Sequence, residues 1–342
     1  MAEIMRHLVI EAPGRLAWRE TQRPTLQSGL DAIVRPIAVG RCDLDSGFVR
    51  GLAPIASGEP LGHECIGEIV EIGSHVSTVC VGMRVIVAAQ ISCGTCRACR
   101  TGATGRCESV PFAASFGMGR EGNYGGALAD YLRVPFADAM LVPMPTTLDP
   151  VDIIGAADMA LDAWRAVGIP LQQRPGADVL ITGGLATVIG LYSVGIARAM
   201  GAARVLFCSR NQQQRECAAA LGAETTSELA AEQGRFDIVV DACGDPTALP
   251  AMFRAAAPEA VVTSVVFYQS DFVLPQRELY FKGITYRTGR PNVRPGIEPV
   301  LALCHSGAFR PHDVPQTVFD FDNAIEAWLS DDLRTAVVRS RI

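Results

Sequence analysis

The chain has 342 residues, 49% of them hydrophobic and 19% charged, with a net charge of −6. That length holds two domains with a large buried core, and the composition excludes a disordered chain. The acidic balance argues against a nucleic-acid or anionic-membrane partner.

The N-terminus, MAEIMRHLVIEAPGR, has no long apolar core followed by a small-residue cleavage site. No signal peptide is therefore expected, and the chain reads as cytoplasmic. Through about residue 150, short β-like runs such as AIVRPIAVG and CIGEIVEIG are separated by Gly and Pro turns. This predicts an irregular, mostly antiparallel β domain. From about residue 151, strands and helices alternate: VLITG, VIGLYSVGIARAMGA, RVLFCSR, NQQQRECAAALGA and FDIVVDACG. Such alternation predicts a doubly wound parallel sheet, an α/β fold. Residues 179–197 carry no charge and approach the length of a membrane span. Gly183 and Gly184 interrupt that run, so a buried strand, a turn and a buried helix explain it better. After about residue 290, one more helix and a few short strands return to the first domain.

Eleven cysteines are present, and four of them lie in CGTCRACRTGATGRC at Cys93, Cys96, Cys99 and Cys107. Disulfides do not suit a cytosolic chain. The first three have iron–sulfur-like spacing, but the fourth lies seven residues on and precedes Glu108 rather than Pro. Four thiolates in a short Gly-rich loop can close a tetrahedron around zinc with no open position, which makes this a structural zinc site. Most of the other seven cysteines read as small core residues.

Further motifs are LGHECIGEIVE at 61–71 and GRCDLDS at 40–46. In order along the chain with the four-cysteine lobe and the strand–turn–helix pattern, they make the sequence resemble the zinc-dependent medium-chain dehydrogenase/reductase family. The resemblance runs from about residue 7 to the C-terminus. It implies a GroES-like, mostly β catalytic domain over 1–159 and 290–342, with the zinc lobe at 93–107. A Rossmann dinucleotide-binding domain is implied over 160–289. It also implies two Zn²⁺ per chain, a small-molecule substrate and a homo-oligomer, dimer or tetramer.

Against the family pattern, Cys42 and His63 fall on two ligands of the catalytic zinc, and Asp158 on the third, where a second Cys is common. One thiolate and one carboxylate neutralise Zn²⁺ as two thiolates do. Asp45 matches the carboxylate that accepts the ligand imidazole N–H and fixes its tautomer. Glu64 matches an acid that approaches the metal during ligand exchange, or serves structure alone.

The phosphate-binding turn corresponds to GGLATVIG, residues 183–190, two residues longer than the usual fingerprint. Gly183 and Gly184 make the tight turn, and Gly190 lets the helix pack close to its strand. At the end of the second strand, Ser209 and Arg210 stand where an acid would select NAD, so NADP(H) is favoured over NAD(H). Arg334 falls where the family carries a basic residue against the pyrophosphate.

One departure bears on the chemistry. The family reads Cys-x-Ser/Thr-Asp, and that hydroxyl begins the proton relay. This chain has Leu44 there, and Gly47 where a relay His often lies. Asp43, Ser46 or a water chain must then move the proton, or the reaction needs no alcohol proton. The expected activity is zinc- and NADP-dependent interconversion of an alcohol and a carbonyl compound. Reduction of an activated C=C or C=N bond is the alternative, and a non-enzymatic binding protein on the same fold is disfavoured by the intact ligand set.

Overall fold

Fifteen strands are found among residues 3–119, 121–230 and 233–339, the parts that the computed structural model describes. They are β1 (Ile4–Ala12), β2 (Arg15–Gln22), β3 (Ala32–Gly40), β4 (Glu64–Ile72) and β5 (Arg84–Val87). Next come β6 (Leu132–Val134), β7 (Leu141–Pro143), β8 (Asp178–Thr182), β9 (Arg204–Cys208) and β10 (Glu224–Thr226). The last five are β11 (Phe236–Asp241), β12 (Ala256–Ser264), β13 (Thr285–Arg287), β14 (Thr317–Asp320) and β15 (Thr335–Val338). The chain divides into two compact units. One comprises Met1–Leu161, Asn292–His305 and Gln316–Ile342, and the other Asp162–Pro291 and Ser306–Pro315.

In the first unit, β1 and β2 form a hairpin, and seven further strands form a sheet in the order β14-β15-β3-β4-β5-β7, with β6 also on β3. Every pairing is antiparallel except β14 with β15. β3 is the spine. Its run AIVRPIAVG is buried on both faces, and Pro36, which has no N–H to donate, lies beside a bulge where the register against β4 shifts. The core of this unit includes Leu8, Val34, Phe48, Leu61, Phe116 and Trp328. Three β3 pairings matter for the site: Gly40 with Glu64, Val39 with Cys65, and Ala336 of β15 with Gly40.

The second unit is a six-stranded, wholly parallel sheet in the order β10-β9-β8-β11-β12-β13. Its central strands read VLIT, RVLFC and FDIVVD because both faces are covered, which leaves no polar alternation. From β8 the chain crosses to β9 on one side and later to β11 on the other. The carboxyl end of β8 is therefore the point of reversal at which such sheets bind ligands. The helix Thr187–Ala199 leaves that point with nine of its thirteen residues buried, an unbroken run from Val188 to Val194 among them, which explains the charge-free stretch. No helix among the described residues is long and apolar enough to cross a membrane.

Both sequence-based classes of sheet are present, and the strands expected from AIVRPIAVG, VLITG, RVLFCSR and FDIVVDACG lie where the patterns put them. One boundary differs. Residues 306–315, expected with the first unit, cluster with the second. Phe309 explains this: it meets the Tyr192 ring edge-on at 5.6 Å and fills the space beside Gly195. An apolar anchor of this kind carries no periodicity to announce it.

Candidate functional site

Cys42 follows β3 by two residues and precedes the short helix Asp43–Val49, while His63 immediately precedes β4. The antiparallel pairing of Gly40 with Glu64 brings the two together. Asp158 comes from the end of a 3₁₀ turn, Ile154–Ala157. One ligand atom from each of Cys42, His63 and Asp158 lies within 4.8 Å of the others, and all three residues are buried. His63 Nε2 is 3.3 Å from Asp158 Oδ2, and His63 Nδ1 is 3.6 Å from Asp45 Oδ1. Among the described residues, neither imidazole nitrogen nor Asp45 Oδ1 has a hydrogen-bond partner. The expected Asp45–His63 hydrogen bond is therefore long rather than made. Asp45 Oδ2 is already held by the Cys42 N–H at 3.0 Å.

The charge balance of this pocket is unusual. Burial pushes the Cys42 thiol well up from its ordinary range, and Asp158, Asp45, Asp43 and Glu64 push it further. Burial also raises Asp45 and Glu64, the latter opposed by Arg334. For His63, burial disfavours the charged ring, but Asp45, Asp158 and Glu64 prevail and push it up to about 9. Several buried acids thus crowd here against the buried cations Arg334 and Arg41 and the His63 ring. A soft sulfur, an orphaned imidazole nitrogen and a carboxylate oxygen converging there fit a divalent metal such as zinc, with room in its coordination for one more ligand.

Glu64 is the structural keystone of the pocket. Its Oε2 accepts from Arg334 Nη2 at 2.8 Å, and its Oε1 from the Met159 N–H at 3.3 Å. Both side chains of the ion pair are 0% exposed. Gly40 is needed beside them, because a Cβ there would lie 2.0 Å from Glu64 Oε2. Arg334, expected against a pyrophosphate, is wholly buried here: its Nη2 donates to this carboxylate and its Nε to Gln316 Oε1 at 3.3 Å. A pair 270 residues apart in sequence leaves no local signal. Leu44 is half-buried and packs against the apolar core of this unit.

The four-cysteine lobe is a second convergence. Cys93 Sγ lies 4.0 Å from Cys99 Sγ, and Cys96 Sγ 3.9 Å from Cys107 Sγ. A tetrahedron with Zn–S bonds of about 2.3 Å requires sulfurs about 3.8 Å apart, whereas a disulfide requires about 2.05 Å. All four cysteines are free. N–H groups are aimed at the sulfurs: Thr95 and Cys96 at Cys93 Sγ, Cys99 and Glu108 at Cys96 Sγ, and Cys93 at Cys107 Sγ. Burial opposes ionisation of Cys93, but hydroxyls of Ser109 and Thr95 and these N–H groups hold its thiol down at about 5. Gly94 makes the first knuckle at φ 75°, where a Cβ would also meet Ala139 Cβ at 2.8 Å. The lobe fits a closed metal site with no place for a substrate.

In the second unit, the turn after β8 holds Gly183 and Gly184 for steric reasons. A Cβ on Gly183 would meet Phe207 Cζ at 2.5 Å, and one on Gly184 would meet Cys243 O at 2.3 Å. The N–H groups of Leu185 and Ala186 bond to Cys243 O and Ala242 O at 3.0 and 3.1 Å, which ties the turn to the end of β11. Gly190 differs from expectation. A Cβ there would meet Ala242 Cβ at an ordinary 3.4 Å, so close helix packing does not require glycine. Ser209 is only 4% exposed, and its hydroxyl is taken up inside the protein, donating to Gln214 Oε1 at 2.8 Å. Arg210 beside it is exposed. Gln214 was passed over in the sequence, where NQQQREC reads as a solvated helix start.

Residues 28–146 match the family model described as the alcohol dehydrogenase GroES-like domain, and residues 188–290 match that of the zinc-binding dehydrogenase. A probable zinc-binding alcohol dehydrogenase of Mycobacterium tuberculosis is 30% identical over 344 residues, covering 97% of this chain and 86% of that protein. Zinc-type alcohol dehydrogenase B of Aspergillus flavus is 27% identical over 343 residues, 95% of this chain and 78% of that protein. Among solved structures, an alcohol dehydrogenase from Thermus sp. ATN1 aligns with a TM-score of 0.87 at 29% identity, over 98% of this chain and 100% of that one. The chain belongs to the zinc-dependent alcohol dehydrogenase family of medium-chain oxidoreductases.

Two outcomes follow from this geometry. Cys99→Ser should release one zinc per chain by elemental analysis and lower the melting temperature, because a closed metal site contributes folding energy directly. Gly184→Ala should weaken binding of a nicotinamide dinucleotide at least about tenfold, its Cβ displacing the Cys243 carbonyl, while Gly190→Ala should stay within about twofold; titration by nucleotide fluorescence separates them.

Proposed function

We propose that this protein is a zinc-dependent, NADP(H)-preferring oxidoreductase that interconverts an alcohol and a carbonyl compound at Cys42, His63 and Asp158. The observation that carries this reading is the convergence of those three buried ligand atoms within 4.8 Å, with the imidazole nitrogens unpartnered. A zinc ion there supplies Lewis acidity toward the substrate oxygen, and a nicotinamide supplies or takes the hydride. Cys42, His63 and Asp158 would hold the metal, and Asp45, 3.6 Å from His63 Nδ1, favours a proton on that nitrogen, leaving Nε2 for the metal. Glu64, clamped by Arg334, holds the Met159 N–H and so fixes the residue next to Asp158.

Leu44 and Gly47 give the proton no side-chain path at the positions the family uses, so Ser46, Asp43 or water carries it. The preference for NADP(H) rests on the missing acid after β9 and on the exposed guanidinium of Arg210, which attracts a 2′-phosphate. The four-cysteine lobe is a second, structural zinc site in this reading, and the enzyme is a homo-oligomer acting on a small molecule.

Leu44 favours one alternative, reduction of an activated C=C or C=N bond, because that reaction needs no alcohol proton removed. A screen of NADPH consumption with aldehydes, ketones, enals and imines tests both readings. The main reading expects aldehydes or ketones to be the best substrates. It also expects Asp158→Ala to lower kcat/KM by at least about 100-fold without unfolding the protein. Preference for enals or imines would replace it with the alternative, and full activity in Asp158→Ala would refute the metal assignment.

A further inference from the structure

The second strand's end and the pyrophosphate turn are joined by a side chain that neither motif contains. Gln214 lies in the first turn of the helix Gln212–Ala220 and is 7% exposed. Its Nε2 donates to Thr187 Oγ1 at 2.8 Å and to Gly184 O at 3.2 Å. Its Oε1 accepts from Ser209 Oγ at 2.8 Å. Thr187 Oγ1 in turn donates to Gly184 O at 2.7 Å, and the Asn211 N–H donates to Ser209 Oγ at 3.1 Å. The helix start is pinned as well: the Gln214 N–H donates to Asn211 Oδ1 at 3.1 Å, and Arg215 Nη1 to Ser209 O at 2.6 Å.

Both amide hydrogens of Gln214 are thus spent on the turn, and its carbonyl on the strand end. A Cβ on Gly183 would come within 2.7 Å of Gln214 Oε1, so the carboxamide fills the gap that the first glycine leaves. The Ser209 hydroxyl has its proton committed to Gln214 and lies inside the protein. It cannot donate to a phosphate without breaking this network.

We propose that Gln214 is a positioning residue for the dinucleotide. It locks the ribose-binding end of β9 to the turn Gly183–Thr187, so that the two ends of the cofactor site keep a fixed spacing. On the NADP(H) reading given above, the discriminating charge is then Arg210 alone, and Ser209 acts through Gln214 on both nicotinamide cofactors alike. The balance of bonds favours this over simple packing. A glutamine filling space would not need three partners on two separate segments.

The test measures Kd for NADPH and NADH by quenching of protein fluorescence, with thermal melts alongside, for Gln214→Met, Gln214→Glu, Ser209→Ala and Arg210→Ala. Gln214→Met should weaken both cofactors by about tenfold, the loss expected for buried hydrogen bonds, and leave their ratio unchanged. Gln214→Glu keeps the acceptor for Ser209 but has no donors for Thr187 and Gly184, so it should behave alike, and it serves if Gln214→Met folds poorly. Ser209→Ala should weaken both cofactors together. Arg210→Ala should cost NADPH roughly 10- to 100-fold and NADH little. The proposal is overturned if the Gln214 variants bind both cofactors normally whatever their melting temperature, or if Ser209→Ala removes the preference for NADPH. Tighter binding of NADH by the unaltered protein would instead refute the NADP(H) reading, and the Gln214 variants would still be judged by their NADH affinities.

Discussion

One buried ion pair organises the first unit. Glu64 and Arg334 meet at 2.8 Å with no exposure to water, and each of their neighbours leads to Cys42, His63 or Asp158. His63 precedes Glu64 directly. Met159, whose N–H Glu64 accepts, follows Asp158. Gly40, whose missing side chain makes room for the pair, lies two residues before Cys42. Thr335, next to Arg334, accepts the Arg41 N–H at 2.9 Å, which fixes the backbone just before Cys42. Removing one partner of such a pair strands a charge in the interior, at a cost of roughly 3–5 kcal/mol. The pair therefore ties together the three separate stretches of chain that carry Cys42, His63 and Asp158.

The second unit solves a different problem by similar means. A dinucleotide needs a tight turn at the carboxyl end of β8 and a recognition element at the end of β9. Bare backbone holds the turn on one side, through Leu185 and Ala186 to the end of β11, and Gln214 holds it on the other. Glycine is required where the carbonyl of Cys243 and the ring of Phe207 crowd the chain, and dispensable at Gly190, where ordinary contact distances remain.

Much of this was legible in the residues alone. Short apolar runs such as VLI in β8 and IVV in β11 indicate strands buried on both faces, and helical stretches between them indicate a parallel sheet. The spacing of Cys93, Cys96, Cys99 and Cys107 is local, so it predicted a clustered thiolate site, and the sulfurs do converge. Cys42, His63 and Asp158 were legible only through resemblance, because nothing in their spacing says that β3 and β4 pair at Gly40 and Glu64. What escaped the sequence depends on distant partners or on side-chain direction. The Arg334–Glu64 pair escaped because its partners lie 270 positions apart. The Ser209–Gln214 hydrogen bond escaped because that glutamine looks like any surface residue in the sequence. Residues 306–315 group with the second unit, where Phe309 packs against Tyr192 and Gly195.

The two sulfur-bearing clusters differ in make-up. The lobe brings together four sulfurs, while the pocket at Cys42 brings together one sulfur, one imidazole nitrogen and one carboxylate oxygen. The central claim is that this second pocket holds a metal through one sulfur, one nitrogen and one oxygen. Zinc K-edge X-ray absorption on the purified protein tests it most directly. The account predicts two zinc ions per chain, with a sulfur shell near about 2.3 Å and a separate nitrogen and oxygen shell near about 2.0–2.2 Å. A spectrum described by four sulfurs alone, with one zinc per chain, would contradict it.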